Sequence, residues 1–389
     1  MAAVFIYPAL LLIIHGAPGW ALGILAIVAA LGLAFARDGY KELLRPDDRR
    51  LLAGLALFLL VGAGSAAARS GPTWLIVNYV QLLPALLLLA AVRLFKPPST
   101  SFYLGCIVGA LGAGAYALWQ CEWLGLPRAY GPEIPFGPHM STIFGGLAVV
   151  LGLLPLFADP PDLRKFGAWP VLAGLAGAMI AAALSGSRSA WLACIFLLLW
   201  HIARNKPRNA LWSLTAIVAI SFALPILSHR WHEAYGNLVD YGNGQADTPL
   251  GLRFEMWKAA AAAFASDPVF GIGPRAFQGW LAMRAEQGFG PPTLATFDHA
   301  HNDALHALAT GGLLSAAGWL AAFWLPWRYF WHAAQATAAP AARAGQALVA
   351  TFFMLGLFDT LLVHRVTLTA YVVGVVLLAG WTAESAHRE

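Results

Sequence analysis

Residues 298–324 read DHAHNDALHALATGGLLSAAGWLAAFW. Six positions, Asp298-His299-Ala300-His301-Asn302-Asp303, carry two carboxylates, two imidazoles and an amide, and they run directly into an apolar stretch from Ala304 to Trp324. The apolar stretch decides the fold. As a helix rising ~1.5 Å per residue it is long enough to cross a hydrocarbon core of about 30 Å, and it holds no Asp, Glu, Lys or Arg. Similar runs recur near Val4–Ile14, Ala21–Ala36, Leu51–Ala66, Trp74–Leu94, Phe102–Gln120, Met140–Leu156, Val171–Leu184, Ala190–Ile202, Leu211–Leu227, Leu348–Leu362 and Thr367–Trp381, which makes twelve in all. In lipid every backbone polar group must be satisfied within the segment, so these runs predict helices. With 59% hydrophobic and 11% charged residues and a mean hydropathy of +0.66, a water-soluble fold is excluded.

The expected fold is therefore all-α and polytopic, with about 12 transmembrane helices. Residues 1–227 would hold spans one to nine, residues 228–303 a long external loop, and residues 304–389 spans ten to twelve. Val4–Ile14 reads as a retained span rather than a signal peptide, because no basic residue precedes it and no small-residue cleavage site follows. Basic loops stay on the cytoplasmic side. Alternate connections and the C-terminus hold 15 of the 24 Lys and Arg, among them Arg45, Arg93, Arg164, Arg204 and Arg343. The opposite set holds the other nine, five of them in the single connection from about Ser228 to Asp303, and long connections translocate with little regard to charge. Both termini should thus be cytoplasmic, and the 298–303 cluster should face outward.

Cys106, Cys121 and Cys194 offer no disulfide framework and read as packing residues. The formal charge of +5 follows from the positive-inside bias. No basic patch interleaved with aromatics points to nucleic acid, and no P-loop, nucleotide fingerprint or fixed-period repeat is present.

Within the long connection, Ser228–Thr248 carries Gly236, Gly242 and Gly244 and reads as irregular surface. Pro249 to Ala265 reads as an amphipathic helix whose Phe254 and Trp257 suit a membrane interface. Asp267-Pro268 ends it, Gly271-Ile272-Gly273-Pro274 forms a tight turn, and a second amphipathic stretch runs from Ala276 to Gln287. The connection is expected to form a lid of short helices over the outer mouth of the bundle.

Chemistry is sought at that mouth. Arg188, flanked by Ser185, Ser187 and Ser189, sits where a helix would start with a serine cap and exposed backbone N–H groups, a setting that favours an anion. The bland alternative, a snorkelling anchor, fits poorly in so short an external turn. Arg253 and Arg275 are candidates too, although an interfacial helix ordinarily carries such residues on its polar face. His301 titrates near neutral pH and stands where a surface-acting general base would. A metal site built from Asp298, His299, His301, Asp303 and His306 is the competing reading. His301 and His306 lie five apart and so diverge on a helix, which argues against it. Asp359, beside His364 and Arg365, is a carboxylate in an apolar span and should have a partner.

His301-Asn302, nine residues and then Gly312 resembles the signature of the O-antigen ligase and O-antigen polymerase superfamily, with Ser315 standing where glycine, threonine or tyrosine is usual. Ser185-Gly-Ser-Arg188-Ser-Ala-Trp191 is similar to the external arginine motif of these proteins. Leu252-Arg253-Phe-Glu-Met-Trp257 and Asp267-Pro-Val-Phe-Gly271-Ile-Gly273-Pro resemble segments of their large loop. The likeness runs over roughly Ala181–Leu320.

The resemblance implies a metal-independent, inverting glycosyltransferase of GT-C type in the bacterial inner membrane, needing no cofactor. The donor would be a glycan on undecaprenyl diphosphate and the acceptor a sugar hydroxyl of lipid A core. Catalysis would fall to His301, Arg188 and Arg253, and substrate binding to Asn302, Arg275, Gly271, Gly273 and Trp257. Asp298, Asp303 and Asp359 would stand behind them. A polymerase or a protein O-oligosaccharyltransferase would use the same donor. A transporter or flippase should instead show internal repeats and ionisable groups at the bilayer midplane.

Overall fold

The computed structural model describes residues 2–14, 17–35, 44–69, 71–131, 140–205, 225–337 and 339–382. All but the last three residues of the expected span Leu211–Leu227 lie outside the described residues, as do Arg37, Lys41, Lys206, Arg208 and Arg388 of the orientation argument. The described residues form helices and their connections, without a strand. In chain order the helices are α1 (Ala2–Leu10), α2 (Ala17–Phe35), α3 (Pro46–Ala68), α4 (Thr73–Val80), α5 (Leu87–Phe95), α6 (Ser99–Leu118), α7 (Met140–Ala158), α8 (Pro161–Arg164), α9 (Trp169–Ser185), α10 (Arg188–Asn205), α11 (Pro225–Gly242), α12 (Pro249–Ser266), α13 (Ala276–Glu286), α14 (Asp303–Thr337), α15 (Pro340–Gly356) and α16 (Arg365–Trp381).

Among the described residues, five stretches are long and apolar enough to cross a bilayer: Pro46–Ala68, Thr73–Phe95, Ser99–Trp123, Ser141–Ala158 and Asp303–Ala336. Leu22–Leu31, Trp169–Ser185 and Arg365–Trp381 are shorter apolar helices. The protein is thus an all-α polytopic membrane protein. Because lipid offers helices no hydrophobic reason to associate, close packing must do it, and small residues allow that. At the α6–α9 crossing a Cβ on Gly114 would stand 2.7 Å from the Gly177 carbonyl oxygen, so the two backbones touch.

Three local readings change. The stretch from Pro225 to Gly242 is helix α11, not irregular surface. Gly236 and Gly242 face open space, and no proline interrupts the run before Pro249, so glycine lowers helix propensity there without preventing the helix. Span eleven is displaced: α15 starts at Pro340 and stops at Gly356, which leaves Leu357–His364 as a connection and takes Asp359 off the helix. The long helix after the polar cluster is interrupted. Within α14, Gly312 has φ 62° and ψ −156°, a conformation open essentially to glycine alone.

The loop after α12 fills that break. Ile272 N–H donates to Ala309 O at 2.9 Å, Gly273 N–H to Thr310 O at 3.0 Å, and Leu313 N–H to Pro268 O at 2.8 Å. Backbone groups orphaned by the interruption are thereby satisfied, as a buried site requires. The approach is too close for side chains. A Cβ on Gly271 would sit 2.4 Å from Gly311 N, and one on Gly312 2.4 Å from Val269 O.

The lid helices α12 and α13 appear close to their expected bounds. Thr248 caps α12 by accepting from Gly251 N–H at 3.1 Å, with Pro249 at the first helical position. The lid has a small core of its own, in which Leu252, Met256, Phe277, Leu281 and Leu294 pack with Ala309 of α14. Arg69 at the end of α3 pairs with Asp267, which ties the lid to the bundle a second time.

Polar clusters gather at both ends of the bundle. At one end Asp48 is fully buried and bound by Arg93, whose Nη2 lies 2.6 Å from Oδ1, by the Arg45 N–H at 2.6 Å and by the Tyr329 hydroxyl at 2.8 Å. At the other end the starts of α7, α10, α14 and α16 meet the ends of α3, α9 and α15. The residues singled out in the sequence lie there.

Candidate active site

Helix α14 begins at the polar cluster because Asn302 caps it. Its Oδ1 accepts from Leu305 N–H at 2.9 Å while its Nδ2 donates to Leu357 O at 3.0 Å. The amide therefore holds the helix start against the α15–α16 connection. Asp303 does similar work. Its Oδ1 accepts from the backbone N–H groups of Leu361 and Leu362 at 2.8 and 3.1 Å, fixing the connection that carries Asp359.

His301 precedes the cap in the left-handed region, with φ 47°. For a residue with a Cβ this costs about 1–2 kcal/mol, and such strain is found where surrounding structure imposes it. The result is a buried ring, 8% exposed, whose Nδ1 lies 3.0 Å from Asp359 Oδ1. Asp359 is itself anchored: Thr360 N–H donates to Oδ1 at 2.9 Å and Thr142 Oγ1 to Oδ2 at 2.5 Å. Burial raises the Asp359 pKa, but the His301 hydrogen bond, the nearby imidazoles and Thr142 outweigh it and hold the group well below the usual carboxylate range. An ionised Asp359 can only accept, so Nδ1 of neutral His301 carries the proton and Nε2 is the basic nitrogen. Burial pulls the His301 pKa down, Asp359 pulls it up, and the net direction is below the ordinary imidazole value. His301 is thus neutral near pH 7, poised to take a proton and to be stabilised by Asp359 once it has.

His299 lies against this pair, with ring centroids 4.2 Å apart, and its Nδ1 is 2.5 Å from Asp298 Oδ1. That hydrogen bond, against the opposing effect of burial, holds Asp298 well below the usual carboxylate range. The ligand atoms of His299, His301 and Asp359 fall within 4.8 Å of one another. These residues could hold a metal ion, in a combination that includes a carboxylate remote in sequence and leaves out His306. The Asp359 oxygens already accept from Thr142, Thr360 and His301, which suits an imidazole-orienting carboxylate equally well.

The arginines come next. Ser187 caps α10 as expected: its Oγ accepts from Ala190 N–H at 3.2 Å. The same Oγ lies 3.5 Å from Thr142 O, so the arginine turn abuts the residue that donates to Asp359. Arg188 is half exposed and its Nη2 lies 2.8 Å from Glu233 Oε2 on α11. Arg253 on α12 is half-buried and forms no hydrogen bond or ion pair among the described residues. Burial lowers its proton affinity; Asp359 counteracts this and Arg188 adds to it, which marks all three as electrostatic neighbours. Trp257 lies one turn further along α12, on the same face as Arg253. Its indole nitrogen is buried without a partner among the described residues, and its ring meets Phe254 edge-on at 5.6 Å.

Not every expected site residue joins this group. Arg275 is exposed at the start of α13, and no contact links it to His301 among the described residues. Gly271 and Gly273 do allow a close approach, but what approaches is the break in α14 at Gly271 and Arg69 at Gly273. Glu233 and Thr142 gave no signal in the sequence. Glu233 lies in the stretch read as irregular, and Thr142 lies inside an apolar run.

Fold and site together define a polytopic helical membrane protein with a histidine–carboxylate pair beneath a helical lid, flanked by two arginines. Residues 173–320, which contain Arg188, Arg253 and His301, match the O-antigen ligase family. Over this region the chain is similar to that family, whose members are glycosyltransferase-like membrane enzymes. An uncharacterized protein of Haemophilus influenzae is 25% identical, over 78% of this chain and 78% of its own length.

Proposed function

We propose that the protein is an O-antigen ligase of the bacterial inner membrane, transferring a glycan from undecaprenyl diphosphate to a sugar hydroxyl of lipid A core with inversion and without a metal. The observation that carries the chemistry is the His301–Asp359 pair with Arg253 and Arg188 as its neighbours: an oriented base beside cationic groups able to receive a leaving anion.

In this reading the acceptor hydroxyl gives its proton to His301 Nε2 as its oxygen attacks the anomeric carbon. The bond from that carbon to the diphosphate breaks on the opposite face, and the electron pair leaves with the phosphate oxygen. Negative charge then grows on the diphosphate, where guanidinium groups bind bidentately. Arg253 is preorganised for this, because its charge is partly desolvated and unmatched among the described residues. Glu233 engages one of the Arg188 donors and sets its direction. Asp359 stabilises the imidazolium and keeps Nδ1 protonated. Trp257 offers a ring and a buried indole N–H to the glycan beside Arg253. The lid α12–α13 covers donor and acceptor, and apolar faces of the bundle take the polyprenyl chain.

Reconstitution with a lipid-linked glycan and lipid A core, with EDTA present, tests the proposal. Transfer onto core with an inverted linkage is expected. Elongation of a second lipid-linked glycan would make the protein a polymerase, and loss of activity to EDTA that returning a metal restores would overturn the metal-free reading.

A further inference from the structure

At the end of the bundle opposite His301, a cavity of about 490 Å³ opens between the end of α7, the connection to α9, the end of α10 and the start of α15. Arg164, Arg204 and Arg343 converge on it together with His201, and among the described residues Asp159 is the one carboxylate in its lining. Asp159 is already taken. Arg164 binds it through both Nε and Nη2, at 3.1 and 2.6 Å. The other two guanidinium groups rest on neutral acceptors: Arg204 Nη1 on Gln346 Oε1 at 2.8 Å, and Arg343 Nη2 on Ala158 O at 2.9 Å. Two positive charges therefore face one cavity with no carboxylate of their own among the described residues. In addition, the Nε of Arg343 is buried and has no hydrogen-bond partner among the described residues. A buried donor left unmatched is unfavourable unless something supplies an acceptor.

The remaining walls say what kind of acceptor. Leu156, Val171 and Leu172 line the same cavity, and beside it Phe166 and Trp169 stand 60% and 78% exposed. Aromatic rings left open at the end of a spanning bundle mark headgroup depth, where their apolar faces and polar edges are both accommodated. A soluble anion would use the arginines and leave the aliphatic wall bare. A lipid uses both. The positive-inside reading assigns this end to the cytoplasmic side, whose leaflet is anionic and where basic pockets between helices take acidic headgroups.

We propose that this cavity is a binding site for an anionic phospholipid, its phosphodiester held by Arg204 and Arg343 and an acyl chain lying along Leu156, Val171 and Leu172. The site is separate from the transfer chemistry, and occupancy clamps α7, α10 and α15 together at the end remote from His301. Arg164 stays with Asp159 and contributes to the field.

The test uses the full chain purified in a neutral detergent, with unfolding followed by tryptophan fluorescence. Phosphatidylglycerol should raise the melting temperature by several degrees, phosphatidylcholine of the same chains and inorganic phosphate should not, and sodium chloride should diminish the effect. Arg204→Gln, which can still pair with Gln346, should weaken the apparent affinity for phosphatidylglycerol at least tenfold while its lipid-free melting temperature stays near that of the parent. Equal stabilisation by phosphatidylcholine, or an effect indifferent to salt, overturns the proposal on the unsubstituted protein alone. So does equal stabilisation by inorganic phosphate, which would mean a soluble-anion site. Should Arg204→Gln fail to fold, Arg204→Lys keeps the charge; binding that is retained and steeply salt-dependent supports the site, and binding unaffected by salt overturns it.

Discussion

At one end of the bundle Asp48 meets Arg93; at the other Asp359 meets His301. Both carboxylates are buried and both accept several hydrogen bonds, so by burial and satisfaction alone they look alike. They differ in what surrounds them. Asp48 is held by Arg93, by the Arg45 N–H and by Tyr329, whose hydroxyl also reaches Thr382 at 2.9 Å. His301 can change its charge, sits on a strained backbone, and has a neighbouring arginine without an ion-pair partner among the described residues. A buried pair whose carboxylate is tied to fixed donors from several elements serves position. A buried pair with one titratable member, placed under a lid, stores a proton vacancy.

The contrast can be broken by substitution. His301→Ala should lower transfer most, by about 10²–10⁴-fold, the usual contribution of a general base, with little change in melting temperature; transfer near the parental rate would end its assignment as the base. Arg93→Ala should act the other way. Removing one partner of a buried ion pair costs about 3–5 kcal/mol, so the yield of folded protein should collapse, and an Arg93→Ala protein that melts like the parent would show Asp48 to be no lock. Arg253→Gln should reduce kcat by about 10²–10³-fold, as loss of a donor to developing charge does, with a smaller effect on donor KM; a change confined to KM would mean ground-state binding alone.

Acidity sharpens the comparison further. Because the His301 pKa is lowered on folding, activity should hold as the pH falls past about 6.5 and decline only below that. The same shift makes protonation favour the unfolded chain, so this residue withdraws stability as the pH drops below the unfolded imidazole value. Asp359 raises the His301 pKa, and Asp359→Asn should therefore move the acid limb to still lower pH while reducing the maximal rate; a limb shifted upward would contradict the assigned proton position. The smallest effect is expected at Arg275→Ala, within about tenfold of the parent, since an exposed side chain of this kind rarely contributes more.

Much of this architecture was legible in the sequence because bilayer length and periodicity leave few choices. Ala304–Trp324 and Leu51–Ala66 could hardly be other than helices, and Asp267-Pro268 had to end α12. Legibility failed where the deciding partner is remote. Spacing set His301 and His306 apart, yet it could not see Asp359 arriving 58 residues later. Glu233 was lost with α11, since glycines that read as breakers are tolerated when nothing opposes the helix. Asp359 did announce itself as a costly carboxylate in need of a partner. Only the fold names that partner.

The interruption at Gly312 has one more consequence. Residues 267–273 stand in for a missing helical turn, so the loop between the two lid helices is stitched by its backbone into α14 on both sides of the break. A flap hinged at its ends would swing freely at its middle; this one is riveted at its middle, and the Trp280 indole N–H, donating to Ala259 O at 2.9 Å, binds α13 to α12. Opening for bulky substrates must then be a rocking motion about the rivet, with α12 and α13 moving as one packed unit. The short segment Asp303–Gly311 forms the seat on which they rock, directly behind the imidazole.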